Sequence, residues 1–111
     1  MSKIRDTKSF RVWEKNQPIR IMRNEGEYEA ISVIDLMTKV VENYGEHPAL
    51  AFQDPSTNNF EFISYFEYKK KVTKLAKVFI KLGLQRWDVV GVLAFNSVEW
   101  FVTELAAIHA G

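Results

Sequence analysis

The sequence predicts an α/β fold in which a hairpin is followed by the order strand, helix, strand, helix. Three observations support it. Two short extended stretches flank a turn-forming loop at 54–59, a helical pattern then runs to Leu82, and the uncharged run Val89 to Phe95 leads into a further helical pattern. A right-handed crossover would place the strands at 60–64 and 89–95 parallel in one sheet, covered by the helices.

Residues 1–31 are expected to form an N-terminal extended segment. They carry mixed charge, and apolar residues alternate at Phe10 and Val12 and again at Ile19 and Ile21. Alternation with a period of two is typical of extended chain lying on a neighbouring surface. The remaining residues, 32–111, are expected to form the front part of one larger domain.

The first helix is predicted to begin after Ser32 and to end at Gly45. Ser32 and Asp35 have the spacing of a helix N-cap, and the apolar residues that follow recur on one helical face. These residues are Val33, Leu36, Met37, Val40, Val41 and Tyr44. The strands of the hairpin then follow at 49–52 and 60–64.

The second helix has the best-defined pattern in the chain. Ser64 and Glu67 have capping-box spacing, and Ile63 and Tyr68 are placed to form a hydrophobic staple. Gly83 is expected to end the helix. Its predicted core face comprises Tyr68, Val72, Leu75, Ala76, Phe79 and Leu82. The opposite face carries a lysine stripe, defined as Lys70, Lys74, Lys77 and Lys81.

The last unit is predicted to be a strand turning into a helix. Val89 to Phe95 lacks charge and is rich in β-branched and aromatic residues, which is typical of a strand buried on both faces. Asn96 and Glu99 have capping-box spacing, so the helix is expected to begin at Ser97 and to reach about Ala110, with Gly111 as a left-handed C-terminal cap.

This last helix is apolar around nearly its whole circumference, and such a helix needs cover on all sides. A single small sheet cannot supply that cover. A parallel sheet would also be expected to continue with another strand. The sequence therefore predicts an incomplete front part of a larger domain, the missing remainder of which would bury Trp100 and Phe101.

Composition indicates which partners, covalent cross-links and cellular location to expect. The 15 basic residues are balanced by 14 acidic ones, which argues against nucleic-acid binding. The chain has no cysteine, so disulfides and thiolate metal sites are excluded. The N-terminus has no apolar leader pattern. These features favour a cytoplasmic protein, with peripheral contact to the endoplasmic reticulum or another membrane as an open alternative.

No residue is predicted to be catalytic, cofactor-binding or metal-ligating. The five glycines are dispersed, so no Gly-rich phosphate loop is present. His47 and His109 lack a His or Cys partner at ligand spacing, and His109 is expected on the exposed edge of its helix. Ser64, Ser97 and Asn96 are interpreted as helix caps rather than as a nucleophile or oxyanion group. The lysine stripe is interpreted as a solvated helix face, with contact to an anionic membrane or a phosphate-rich ligand as the alternative.

The stretch from Leu82 to Gly111 resembles the adenylate-forming acyl-CoA synthetases. Those enzymes carry a leucine-glycine pair, a linker with Asp, an apolar strand, Asn-Ser, Glu-Trp and a helix ending in Ala-Gly. The sequence from Asn96 to Phe101 is similar to that of the bubblegum-type long-chain fatty acid synthetases. Ser64-Tyr65 and Ala49 to Ala51 agree with the family's upstream pattern. Val98 departs from it, because many relatives have proline there.

The resemblance implies that 32–111 is the front part of an AMP-binding N-terminal domain. The parent enzyme would be a long-chain fatty acid–CoA ligase that converts a fatty acid with ATP to an acyl-adenylate and then, with CoA, to acyl-CoA. The resemblance therefore implies that the parent enzyme uses ATP, Mg²⁺ and CoA. It implies no cofactor for this chain, since the family's catalytic motifs lie downstream. The alternative is a non-catalytic truncated isoform that acts as a protein interaction module through Trp100 and Phe101.

Overall fold

The computed structural model describes residues 31–111, which form three helices and a two-stranded antiparallel sheet. The predicted extended segment at 1–31 lies outside the described residues, apart from Ile31. The elements are α1 (Val33–Tyr44), β1 (Pro48–Gln53), β2 (Phe60–Ser64), α2 (Tyr65–Lys81) and α3 (Val98–Ala110).

The predicted hairpin is confirmed. Leu50 pairs with Ile63 and Phe52 with Glu61, so that β1 and β2 run antiparallel. In the connecting loop, the Asp54 carboxylate accepts hydrogen bonds from the Ser56 amide at 2.8 Å and the Ser56 hydroxyl at 2.7 Å. The hydrogen bond from the Ser56 side chain is the main cause that lowers the pKa of Asp54, and the bond from the Ser56 backbone lowers it further. A carboxylate that bonds its own backbone two residues ahead stabilises a tight turn.

Helix α1 begins and ends where the sequence predicts. Ser32 is its N-cap, and its hydroxyl accepts from the Asp35 amide at 3.0 Å. The predicted apolar face is only partly covered, because Met37 is buried while Leu36 and Tyr44 are 52% and 56% exposed. Gly45 is the C-cap and has a right-handed conformation, with φ −49°. The helix packs on the rest of the fold through a narrow strip around Met37 and Val41.

Helix α2 is the central element of the fold. Its capping box is confirmed: the Glu67 amide donates to the Ser64 hydroxyl at 3.2 Å, and the Ser64 amide donates to the Glu67 carboxylate at 3.0 Å. At its other end, Gly83 has φ +100°. The Gly83 amide bonds to Ile80 O and the Leu84 amide to Phe79 O, both at 3.0 Å, which is a Schellman C-cap.

The core forms where α2 meets α3 and the hairpin. Val72 of α2 and Ala106 of α3 are fully buried, and small or branched residues at such a contact let two helices approach closely. The prediction that Leu82 joins this core is wrong, because Leu82 is the C-cap of α2 and is 79% exposed. The buried residues are Met37, Ile63, Tyr68, Val72, Ala76, Val102 and Ala106.

Helix α3 begins one residue later than predicted. Its N-cap is Ser97, whose hydroxyl accepts from the Trp100 amide at 3.3 Å, so the expected capping box of Asn96 and Glu99 is wrong. Serine and asparagine are comparable caps, and the sequence offers both in succession. Gly111 is left-handed as predicted, with φ +96°.

Residues 89–95 are not a strand, which corrects the predicted second strand and its parallel pairing with 60–64. The segment is extended but joins no ladder among the described residues. Val89, Leu93 and Phe95 are 79%, 103% and 97% exposed. A strand is defined by its hydrogen-bonded neighbour, and this segment pairs with neither β1 nor β2. From Pro48 onward, the observed order is therefore hairpin, helix, extended segment, helix.

Candidate functional site

A concave surface lies between the hairpin and the start of α3. It is a cleft of about 620 Å³, with β1 and β2 on one side and the first turn of α3 on the other. The walls are mostly apolar. The lining residues are Leu50, Ala51, Phe52, Gln53, Phe60, Ile63, Lys71, Asn96, Ser97, Val98, Glu99 and Phe101.

The charged groups of the cleft are Lys71 from α2 and Glu99 from α3. The pKa of Glu99 is lowered most by a hydrogen bond to its own backbone amide. The Ser97 hydroxyl lowers it further, and the Lys71 charge has a smaller effect in the same direction. The carboxylate is therefore ionised at neutral pH, near the positive end of the α3 dipole. The sequence pattern did not connect these two side chains, because they lie on different helices and no spacing rule relates them.

Of the three residues interpreted as helix caps, the structure shows two, Ser64 and Ser97, in that role. Ser64 and Ser97 each accept a backbone amide of the helix that follows, at 3.2 and 3.3 Å, so their hydroxyls are engaged in capping as predicted. Asn96 is not a cap. It is exposed and contributes to the cleft wall.

His47 lies between α1 and β1, and His109 lies in α3. The rings of His47 and Tyr44 meet edge to face at 5.7 Å. His109 is half-buried, so its expected position on an exposed helix edge is wrong. Its Nδ1 lies 2.7 Å from Leu105 O, and its buried Nε2 has no hydrogen-bond partner among the described residues. Within 31–111, no three His, Cys, Asp or Glu residues are grouped so as to hold a metal ion.

The lysine stripe is exposed along its whole length. The neighbouring Lys69 points the other way and donates to the Thr38 hydroxyl at 3.1 Å, which ties α2 to α1. No helix within 31–111 has the length and apolar character needed to cross a bilayer.

The aromatic pair expected to need cover is only partly covered. Trp100 is half-buried and Phe101 is 39% exposed, with their rings edge to face at 5.5 Å. The backbone oxygen of Phe101 accepts a hydrogen bond from the Tyr68 hydroxyl at 3.1 Å. The cleft is therefore a mainly apolar surface beside the α2–α3 contact.

Comparison with known proteins assigns the chain to a family. The model of the AMP-binding enzyme family matches residues 37–111. Long-chain-fatty-acid–CoA ligase ACSBG2 of Rattus norvegicus is 40% identical over 86 residues, which are 78% of this chain and 13% of the relative. ACSBG2 of Xenopus laevis is 31% identical over 110 residues, 95% of this chain and 15% of the relative. Long-chain-fatty-acid–CoA ligase ACSBG1 of Bos taurus is 39% identical over 80 residues, 72% of this chain and 11% of the relative.

The chain thus spans 15% or less of the length of these curated relatives. No solved structure matches it significantly. The resemblance to bubblegum-type long-chain acyl-CoA synthetases is confirmed by the family model and the relatives together. Since the matched residues, 37–111, make up more than half of the chain, the chain belongs to the AMP-binding enzyme family.

Proposed function

We propose that this chain is part of a long-chain fatty acid–CoA ligase of the bubblegum type. That enzyme would activate a fatty acid with ATP to an acyl-adenylate and then transfer the acyl group to CoA. The observation that carries the proposal is the family match over 37–111 to AMP-binding enzymes, together with relatives whose names specify long-chain-fatty-acid–CoA ligases.

The proposed role of 32–111 is to form the scaffold at the front of the adenylate-forming domain, with 1–31 as an N-terminal extended segment. The structure offers support for a scaffold role, because Ser64 and Ser97 are engaged in helix capping and the cleft is mainly apolar. In this proposal, residues elsewhere in the enzyme bind ATP, Mg²⁺ and CoA, and this chain supplies no catalytic, cofactor-binding or metal-ligating residue.

The proposed location is cytoplasmic, with peripheral membrane contact as the alternative. The lysine stripe is the surface suited to that contact, since four exposed lysines on one helix face would be attracted to anionic headgroups. The solvated-face interpretation of the same lysines predicts no such attraction. Sedimentation of the chain with vesicles containing anionic lipid, at low and high salt, distinguishes the two.

A chimeric enzyme tests the proposed function. The segment of rat ACSBG2 that aligns with this chain, 86 residues long, is replaced by the aligned residues of this chain. The proposal predicts that the chimera folds and forms acyl-CoA from a long-chain fatty acid, because equivalent scaffolds should be exchangeable. A matched chimera that also carries Val72→Asp should lose both folding and activity, since an unpaired charge would then be buried. A folded chimera with no ligase activity would refute the proposal.

A further inference from the structure

Helix α2 concentrates positive charge in a chain that is almost neutral overall. It carries six lysines and one glutamate, which give it a formal charge of +5, whereas the whole chain carries +1. Helices α1 and α3 are both net acidic. The glutamate of α2, Glu67, lies in the first turn and is engaged in the capping box. The lysine stripe therefore forms a markedly basic face.

The charges of this face are not compensated within the described fold. The four lysines are exposed, and none of them makes an ion pair or a hydrogen bond within 31–111. If more of a longer domain covered them, unpaired ammonium groups would lose their contact with water, which is strongly unfavourable. The lysine stripe should therefore stay at the surface of the complete ligase domain, unlike the apolar surfaces of α3 and the 89–95 segment.

Exposed apolar side chains border the lysine stripe. The helical period places Phe66 and Ile80 along one side of it and Val78 along the other. These three residues are 55%, 54% and 42% exposed, and within the described fold none of them packs against the core. Lysines next to exposed aromatic and aliphatic side chains are typical of helices at a membrane interface, where the ammonium groups meet the headgroups and the apolar groups enter the acyl boundary.

We propose that the lysine stripe docks on an anionic lipid bilayer, with its ammonium groups among the headgroups and with Phe66 and Ile80 entering the acyl boundary. Lipid fits better than nucleic acid, because bases stack on rows of aromatic side chains and Phe66 is the single aromatic residue among the three that border the stripe. Such docking rests on the membrane alternative of the proposed function and not on ligase chemistry. Vesicle binding and acyl-CoA formation by the chimera can therefore fail separately.

The first test compares two exposed lysines of α2. Lys74→Gln removes a charge from the stripe, whereas Lys71→Gln removes one from the same helix beside the cleft. Flotation of the 111-residue chain is measured with vesicles of equal parts phosphatidylcholine and phosphatidylserine, and with phosphatidylcholine alone. The chain is expected to bind the anionic vesicles, less so in high salt, and Lys74→Gln should weaken binding about fivefold while Lys71→Gln has a clearly smaller effect.

Three outcomes would overturn the docking. Equal binding to both kinds of vesicle would show that apolar surface alone drives the association. Equal effects of the two substitutions would show that the stripe is not the contact face. Binding to polyglutamate without binding to anionic vesicles would assign the stripe to an acidic protein instead.

The second test examines insertion of the apolar border. Phe66→Ser removes a ring next to the stripe, and Phe60→Ser makes the same change in β2, at a residue that is 66% exposed. Phe66→Ser is expected to weaken binding to the anionic vesicles severalfold, because its ring would leave water on docking, with Phe60→Ser nearly unchanged. Equal effects of the two substitutions would exclude the proposed insertion.

Discussion

The Tyr68 hydroxyl donates a hydrogen bond to the backbone oxygen of Phe101 at 3.1 Å, joining the buried face of α2 to the first turns of α3. The tyrosine is 7% exposed. Its hydroxyl thus links α2 to α3 by a hydrogen bond within a largely apolar contact. The cleft beside Phe101 depends on this placement.

Removing that hydroxyl should destabilise the chain modestly. Tyr68→Phe leaves the ring in the core but leaves Phe101 O without this donor, and the expected loss in the free energy of unfolding is about 1 kcal/mol. Tyr44→Phe is the matched control, because Tyr44 is 56% exposed. Chemical denaturation at low protein concentration measures both. Equal stability of the two variants would mean that the hydrogen bond contributes nothing.

Alkaline pH should weaken the same contact. Burial, with a smaller effect from the Glu104 charge, raises the pKa of Tyr68 from 10.0 to about 12. The folded chain therefore holds this proton more tightly than the unfolded chain, so the stabilisation is complete below pH 10 and is lost as pH rises towards 12. Melting temperatures of the wild type should fall more steeply across this window than those of Tyr68→Phe. Parallel curves would contradict the prediction.

The start of α2 should depend on its capping box. Ser64→Ala removes the acceptor for the Glu67 amide and should cost about 1 kcal/mol of unfolding free energy. Ser64→Thr keeps the hydroxyl and should retain most of the stability. Denaturation midpoints of the two variants provide the measurement, and the prediction fails if threonine and alanine are equally destabilising.

The core should be most sensitive at Val72. This residue is 0% exposed, so Val72→Ala should leave a cavity and cost about 2 kcal/mol. Val78→Ala makes the same change on the same helix, at a residue that is 42% exposed, and should cost less than about 0.5 kcal/mol. The ratio of the two effects, measured by denaturation, reports whether α2 presents the observed face to α3. A similar cost at both positions would show that it does not.

Local patterns predicted the helices and the hairpin well. The caps at Ser32 and Ser64 and the left-handed glycines at 83 and 111 depend on neighbours a few residues away, and each lies where it was expected. Burial was predicted less well. Leu82 satisfies the helical period but lies at the C-cap and is exposed.

The segment Val89–Phe95 shows where sequence patterns reach their limit. Its residues have strand character, yet a strand also requires a partner, and that requirement is not local.

The cleft could not be predicted for a similar reason. Lys71 and Glu99 come together only because α2 and α3 pack as they do, and no periodicity in the sequence encodes that contact.

The central claim is that this chain belongs to the scaffold of a fatty acid–CoA ligase whose chemistry is performed by other residues. Exchange of radiolabelled pyrophosphate into ATP, dependent on a long-chain fatty acid and Mg²⁺, tests it most directly. The 111-residue chain alone is predicted to give no exchange above background, while the rat ACSBG2 chimera that contains its aligned residues exchanges readily. Saturable, fatty-acid-dependent exchange by the chain alone would contradict the claim.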